Sequence, residues 1–136
     1  MQKVRFSKSE MGGLGVFATT DIKAGQVIER CPVILVPANE DKLLDRTALT
    51  NYYFEFSERY VAICLGYGSL YNHSYHANAI YDVSAKRRLI IFRAVKAIQK
   101  NEEICINYNY EPDDPTPLET WWNKDFRDRS KRRGRG

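Results

Sequence analysis

The side chains best suited to chemistry lie in a short polar segment, residues 66–78, between two apolar runs. After Gly66 and Gly68, the short polar residues are Asn72, His73, Ser74 and Asn78. Such side chains both donate and accept hydrogen bonds. A polar cluster between core strands has to satisfy its own groups or bind a ligand that does so. Two interpretations stay open: a buried turn in which Asn72 and Asn78 cap backbone groups, or a binding site.

A second concentration of functional side chains follows the strand predicted at residues 103–107. Tyr108 and Tyr110 come at its end, and the prolines at 112, 115 and 117 impose an extended, turning path. Trp121 and Trp122 follow. Aromatic residues beyond the last strand have to pack on a core edge or on a bound ligand.

Several short elements must position these side chains. Strands are predicted near residues 4–7, 27–31, 52–56, 60–65, 80–83, 89–92 and 103–107, and an apolar strand follows the glycines at 12, 13 and 15. A turn at 84–87 joins the strands at 80–83 and 89–92 into a hairpin. Residues 33–36, between two prolines, form an edge strand or an extended crossing. Residues 38–51 form a short helix or an irregular insert. Hardly any helical periodicity is present, which predicts a mainly β fold with several small sheets.

Glycines mark two kinds of position. Gly13 and Gly15 precede an apolar strand, and the missing side chains allow a ligand or another segment to approach, although a bulge or hairpin turn is the alternative. Residues 22–28 and 98–104 resemble each other, with Gly25 matched to Asn101. Because Gly and Asn best tolerate left-handed backbone, each segment is predicted to be a tight turn that feeds a strand.

Composition indicates one folded domain. The chain has 136 residues, of which 43% are hydrophobic and 28% charged, enough for one core without disulfides or a metal. No apolar run approaches the roughly 18–20 residues of a membrane span, and residues 1–6 lack the apolar core of a signal peptide. We expect a cytoplasmic protein with no membrane partner, or one acting in a host nucleus if it is a secreted effector.

The net charge of +4 is located in the last eight residues. Residues 129–136 carry five Lys and Arg side chains, so residues 1–128 sum to about −1 and show no basic face for nucleic acid. We expect a domain at 1–122 and a disordered basic tail at 123–136. The tail is either a solubilising segment, or it contacts nucleic acid or another polyanion or serves as a localisation signal.

The cysteines and histidines favour neither disulfides nor a metal site. Cys31, Cys64 and Cys105 are far apart in sequence and beside apolar residues, which is typical of small buried hydrophobes. The only histidines, His73 and His76, have no cysteines or carboxylates at ligand spacing.

Three motifs in order identify a family. They are Gly13-Leu14-Gly15, then Asn72-His73-Ser74 with Asn78, then Glu102-Glu103-Ile104 leading to Asn107-Tyr108. Over roughly residues 3–122 the chain resembles the SET-domain methyltransferases, and most closely the compact stand-alone proteins of bacteria and large viruses. The resemblance implies the SET fold, with several small β-sheets, few short helices and a C-terminal pseudoknot. It also implies an enzyme that methylates a lysine side chain of a protein with S-adenosylmethionine.

The resemblance implies roles for single residues. Tyr108 matches the family's active-site tyrosine, whose hydroxyl lies near the reacting methyl group. The residues implied to contact the cofactor are Gly13, Leu14, Gly15, Tyr53 (or Tyr52), Asn72, His73, Tyr108 and Trp122. The residues implied to line the lysine channel are Ile106, Tyr110 and Trp121, and the two tryptophans are interchangeable in these roles.

The chemistry suits these residue types. A sulfonium methyl group needs a neutral amine in line with its carbon–sulfur bond, so positioning supplies most of the rate. Deprotonating lysine from a pKa near 10.4 costs about 4 kcal/mol at neutral pH, and a dry aromatic channel beside the sulfonium lowers that pKa. Tyr108 then orients the amine rather than acting as a strong base. Glu102 and Glu103 are expected to stabilise their turn.

Two departures from the family have consequences. No cysteine follows Cys105, so the zinc-bound cluster that ends larger SET enzymes is missing, and Tyr110 with the tryptophans, or a partner subunit, would close the lysine channel. Ile106 stands where the family often carries Phe or Tyr, which predicts room for more than one methyl group.

The expected partner is a protein with an exposed lysine, such as a histone, another chromatin-like protein or a ribosomal protein. Nucleic acid would be contacted only through the basic tail, and the chain would be a monomer or a homodimer. Two alternatives are a non-catalytic SET-fold binding module and an unrelated small β interaction domain.

Overall fold

The structure is a computed structural model that describes residues 2–118. The strands in that range are β1 (Val4–Lys8), β2 (Leu14–Ala18), β3 (Val27–Pro37), β4 (Tyr53–Glu55), β5 (Tyr60–Cys64), β6 (Asn72–His73), β7 (Ala79–Ser84), β8 (Leu89–Ala94) and β9 (Glu103–Ile106). Short helices are α1 (Asp41–Leu44) and 3-10 turns at Ala38–Glu40, Ala48–Asn51 and Gly68–Leu70. The predicted mainly β fold is confirmed, and no helix within residues 2–118 is long and apolar enough to cross a bilayer.

The strands form two sheets. One has the order β1-β2-β9-β6, in which β6 runs parallel to β9 and the other pairs are antiparallel. The other has the order β4-β5-β3-β8-β7 and is antiparallel throughout. The hairpin predicted at residues 80–92 is β7–β8, paired from Ala79 with Ala94 to Ser84 with Leu89.

Strand β3 runs through both prolines that the sequence places around residues 33–36. Its first half, up to Pro32, pairs with β8, and its second half, from Val33, pairs with β5. Residues 33–36 therefore belong to a strand that crosses from one partner to the other, which is the extended crossing among the two predicted alternatives. Each half has one paired side, which lets Pro32 sit in the strand without an N–H, and the Pro32 carbonyl accepts from the Leu65 amide at 2.9 Å.

The two similar turn segments pair with each other. Ile22 and Ile98 exchange two backbone hydrogen bonds of 2.8 Å and are both buried. Gly25 has a φ of 85° and Asn101 a φ of 73°, which confirms the left-handed conformation predicted at both positions. The pair brings the start of β3 and the start of β9 into the same part of the molecule.

The core contains aliphatic side chains from both sheets and few rings. Its largest fully buried members are Tyr71, Phe92, Ile22, Ile90, Ile98, Ile104 and Ile106. Tyr71 stacks on Phe92 with a centroid distance of 4.2 Å. The three cysteines are free and buried, as predicted. A hydrogen bond with Cys64, together with burial, raises the pKa of Cys31 well above its ordinary value, and burial raises the pKa of Cys105 to about 12.

The chain after β9 folds around the segment that carries Asn72. Strand β9 lies between β2 and β6, and the Ser74 amide donates to the Ile106 carbonyl at 2.9 Å. Farther on, the Leu118 amide donates to the Tyr75 hydroxyl at 3.3 Å. The C-terminal segment therefore contacts the 72–78 segment at both Ser74 and Tyr75, as the predicted pseudoknot requires.

Candidate active site

His73 and Tyr108 meet where β6 and β9 run side by side. Parallel pairing places Asn72 opposite Cys105 and His73 opposite Ile106. The Tyr108 amide donates to His73 Nδ1 at 3.0 Å, and the two ring centroids are 5.2 Å apart. The predicted meeting of the polar segment with a tyrosine 35 residues downstream is thus present in the fold.

The hydroxyl of Tyr108 has a fixed direction. It donates to the Tyr71 carbonyl at 2.9 Å. Because its hydrogen points at Tyr71, its oxygen lone pairs face other directions, where they can accept a hydrogen bond. Tyr108 is half-buried and packs against the hydrophobic core.

His73 is held as a neutral imidazole in one tautomer. Since Nδ1 accepts from the Tyr108 amide, the hydrogen bond assigns the ring proton to Nε2. Nε2 is buried and has no hydrogen-bond partner among the described residues. Burial lowers the pKa of His73 from the usual 6.5 to about 4. The ring packs edge-on against Tyr75 with a centroid distance of 4.4 Å.

Each of the two interpretations of the polar segment, a backbone-capping turn and a binding site, applies to one of its asparagines. Asn78 ties β9 in place, because its Oδ1 accepts from the Cys105 amide and its Nδ2 donates to the Glu103 carbonyl, both at 2.9 Å. It has the backbone-capping role. Asn72 instead donates from Nδ2 to the Leu14 carbonyl at 3.0 Å and to Glu103 Oε2 at 2.9 Å. It therefore connects the glycine motif to the site.

The glycine motif lies next to Asn72, at the start of β2. Gly12 and Gly13 have positive φ values of 103° and 64°, which glycine adopts without strain. Gly15 has another role: a Cβ there would overlap Glu103 Oε2 and stand 3.0 Å from Asn72 Nδ2, so a side chain would displace these groups. A carboxylate and an amide of this chain, rather than a ligand, fill the space beside Gly15.

Three further residues predicted for the site lie in the described part of the chain: Ile106, Tyr110 and Tyr53. Ile106, paired with His73, is 1% exposed. Tyr110 is 38% exposed, its hydroxyl donates to Asp82 Oδ1 at 3.0 Å, and its ring meets Tyr81 edge-on at 5.3 Å. Tyr53 lies on β4 of the other sheet, and its hydroxyl donates to Asp45 at 2.8 Å. Trp121 and Trp122 lie outside the described residues.

The structure adds two residues that the sequence does not single out, Tyr71 and Tyr81. Tyr71 supplies the carbonyl that holds the Tyr108 hydroxyl, and its own hydroxyl donates to Glu29 at 2.8 Å. Tyr81 lies close enough to Tyr108 and Tyr110 for both to affect it, and burial first, then Tyr110, raises its pKa to about 12. The sequence feature that could have pointed to Tyr71 is its position directly before Asn72. For Tyr81 it is the alternation of side chains along its strand.

Within residues 2–118 no three or more His, Cys, Asp or Glu side chains are arranged to hold a metal ion. Glu102 stabilises its turn as expected, because its Oε1 accepts from the Gln99 amide at 3.0 Å. Glu103 does more than the sequence suggests, since it accepts from both Ser9 and Asn72.

Comparison with known proteins points to one family. The SET domain family model matches residues 13–109. A Schizosaccharomyces pombe protein named histone-lysine N-methyltransferase, H3 lysine-37 specific, is 34% identical over 101 residues, which are 74% of this chain and 69% of the relative. The crystal structure of a Plasmodium falciparum protein described as a candidate histone methyltransferase superposes with a TM-score of 0.71 at 34% identity, over 90% of this chain and 99% of that one. Both relatives are eukaryotic, and the bacterial or viral subtype stays a prediction. The motif order, the pairing of His73 with Tyr108 and these likenesses together show that the chain belongs to the SET-domain family of protein-lysine methyltransferases.

Proposed function

We propose that this methyltransferase uses S-adenosylmethionine as its cofactor and that Tyr108 receives the substrate lysine. The observation that carries the proposal is the position of Tyr108, whose amide is bonded to His73 and whose hydroxyl is bonded to Tyr71. Two hydrogen bonds fix both the backbone and the hydroxyl of one residue, which is the precision that a positioning mechanism requires.

The residues present fit the cofactor. His73 Nε2 is a buried donor without a partner in the described part of the chain, and a ligand acceptor would offset the free-energy cost of leaving it unpaired. Asn72 would hold the ammonium end, His73 the adenine end, and the backbone of Gly13, Leu14 and Gly15 would follow the methionine portion. Tyr53 and Trp122 are proposed as further contacts. When bound, S-adenosylmethionine supplies an electrophilic methyl group on a positively charged sulfur.

Tyr108 would act on the lysine amine through its hydroxyl oxygen. Because the hydroxyl hydrogen is committed to the Tyr71 carbonyl, the oxygen accepts an N–H of the amine and directs the nitrogen lone pair elsewhere. Ile106, Tyr110 and Trp121 are proposed to line the channel, where exclusion of water lowers the pKa of the incoming lysine. A neutral amine is the form that can attack.

We propose a basic chromatin protein such as a histone as the substrate. The names of the two relatives, a histone-lysine methyltransferase and a candidate histone methyltransferase, support this choice. Charge does not decide this choice, because the half-exposed Asp82, whose Oδ1 accepts from the Tyr110 hydroxyl, is already paired with Arg93 at 3.7 Å.

The test is methyl transfer from labelled S-adenosylmethionine to purified histones by the full chain. Tyr108→Phe is expected to lower kcat about 100-fold, while the calorimetric Kd of the cofactor changes by less than about threefold, because the ring remains. Tyr60→Phe, at an exposed position of β5, is the matched control and should keep wild-type turnover. Full activity of Tyr108→Phe would remove Tyr108 from the mechanism.

The number of methyl groups transferred tests the role of Ile106. Mass spectrometry of the modified histone should show dimethyl- or trimethyl-lysine, because Ile106 is less bulky than the Phe or Tyr that the family often carries there. Only monomethyl-lysine at high enzyme concentration would contradict this proposal.

A further inference from the structure

Glu103 joins three separate segments of the chain through one carboxylate. Ser9 Oγ donates to its Oε1 at 2.9 Å and to its Oε2 at 3.0 Å, and Asn72 Nδ2 donates to Oε2 at 2.9 Å. Ser9 and Asn72 are 94 and 31 residues away in sequence. The carboxylate is thus a link between the β1–β2 loop, β9 and the start of β6.

Ser9 passes this link on to the 9–13 loop between β1 and β2. The Met11 amide donates to Ser9 Oγ at 3.1 Å, the Ser9 amide donates to the Gly13 carbonyl at 2.9 Å, and the Gly12 amide donates to the Ser9 carbonyl at 3.1 Å. Ser9 is therefore the residue on which the internal bonds of the loop converge. Holding its hydroxyl fixes the loop that leads into Leu14.

Glu103 also decides which way the Asn72 amide points. The oxygen and nitrogen of an amide side chain are nearly the same size, so shape alone does not select an orientation. A carboxylate accepts hydrogen bonds and repels another oxygen, so Glu103 selects the orientation in which Nδ2 faces it. In that orientation Nδ2 donates to both Glu103 and the Leu14 carbonyl, and Oδ1 faces away from them.

Gly15 completes the arrangement by leaving room for the carboxylate. A Cβ at Gly15 would overlap Glu103 Oε2. A glycine in strand β2 thus accommodates Glu103, in addition to any contact that its backbone makes with a ligand.

We propose that Glu103 is a positioning residue, which orients the Asn72 amide and thereby sets the affinity for the cofactor. The inference rests on the proposed function, in which Asn72 holds the ammonium group. An ammonium group needs an acceptor, and the orientation that Glu103 imposes turns the Asn72 oxygen, rather than its NH2 group, away from Glu103 and Leu14. Glu103 need not touch the cofactor to have this effect.

The experiment is a double-mutant cycle read by calorimetric Kd for S-adenosylmethionine. Glu103→Ala is expected to weaken binding about tenfold, the scale of one hydrogen bond to a charged group. Glu103→Gln retains one acceptor oxygen and should bind within about threefold of wild type. Glu102→Gln changes the neighbouring carboxylate, which serves the turn, and should leave Kd unchanged.

The coupling distinguishes positioning from a merely structural role. If Glu103 acts through Asn72, Glu103→Ala together with Asn72→Ala binds no more weakly than Asn72→Ala alone. The inference would be overturned if Glu103→Ala bound the cofactor with the wild-type Kd. It would also be overturned if the affinity losses of the two single variants multiplied in the double variant. If Glu103→Ala fails to fold, Glu103→Met replaces it in the experiment, because Met has a side chain of similar length but lacks both acceptor oxygens. Failure of the wild-type chain to bind the cofactor would instead overturn the proposed function.

Discussion

Three buried asparagines lie around the site, and they have two kinds of task. Asn78 bonds to the backbone of β9, and Asn107, fully buried, donates to the carbonyls of Pro112 and Asp114. Asn72 bonds to the backbone of Leu14 but also to a carboxylate. Asn78 Nδ2 also donates to a carboxylate oxygen, Glu102 Oε2, at the longer distance of 3.4 Å. Two of the three amides therefore serve mainly backbone architecture, whereas Asn72 connects the glycine motif to the site.

His73 makes stability depend on pH in a defined window. Its pKa in the folded chain is lowered to about 4 by burial, whereas the unfolded chain has a value near 6.5. Between these values the unfolded state binds a proton that the folded state resists, so stability is present above about pH 6.5 and falls as the pH drops towards 4. Melting temperatures measured from pH 7 to pH 4 should therefore decline more steeply for wild type than for His73→Gln, which keeps an acceptor for the Tyr108 amide.

The other histidine provides the matched control for this experiment. His76 is exposed, and His76→Gln should reproduce the wild-type decline. Carboxylates also titrate in the lower part of the range, so the measured quantity is the difference between the curves. Equal slopes for wild type and His73→Gln would show that His73 does not resist protonation in the folded chain.

At the scale of elements, the site depends on a two-residue strand. Strand β6 consists of Asn72 and His73 alone, and its position is fixed by parallel pairing with β9 and by Tyr71, which is buried before it. So short a strand has no independent stability. Its geometry is imposed by contacts with residues more than 30 positions away. The Asn72-His73 motif and the motif that leads to Tyr108 therefore form a site only when the fold brings them together.

The two left-handed turns allow a test of backbone conformation without steric clash. A Cβ at Gly25 would meet nothing within 4 Å, yet φ there is 85°, so Gly25→Ala should cost about 1 kcal/mol from backbone strain alone. Asn101→Ala should cost a similar amount, whereas Asn101→Gly should stay within about 0.5 kcal/mol of wild type. Urea denaturation midpoints measure all three, and an unchanged midpoint for Gly25→Ala would contradict the argument.

Sequence reasoning succeeds for elements whose signals are local. The matched turns at Gly25 and Asn101 and the β7–β8 hairpin are of this kind, since turn chemistry and alternation act over a few residues. The meeting of His73 with Tyr108 came from motif order and family resemblance, not from local pattern. The partners of Glu103 and the cause of glycine at Gly15 were beyond reach, because both depend on side chains brought together from distant segments.

At the scale of the whole molecule, the two sheets and the charge are arranged separately. The core is continuous across both sheets, so the site between β6, β9 and the glycine motif has a rigid support. Residues 129–136, beyond the described part of the chain, carry a formal charge of +5, whereas residues 1–128 sum to −1. The sequence therefore predicts that catalysis belongs to the folded domain and that long-range electrostatic attraction belongs to residues 129–136.

Removing residues 123–136 separates these two contributions, because the deletion changes the formal charge from +4 to −1 and leaves every described residue in place. We expect methyl transfer to a short lysine peptide to stay within about twofold, since a small peptide needs only the site. Binding to double-stranded DNA at low salt should be lost, because Lys and Arg contacts with phosphates supply non-specific affinity and its steep salt dependence. Filter binding at two salt concentrations measures this.

Two results would contradict this prediction. Retained, salt-dependent DNA binding by the truncated chain would place the nucleic-acid contact on the folded domain. Loss of peptide methylation would place part of the active site in the deleted segment.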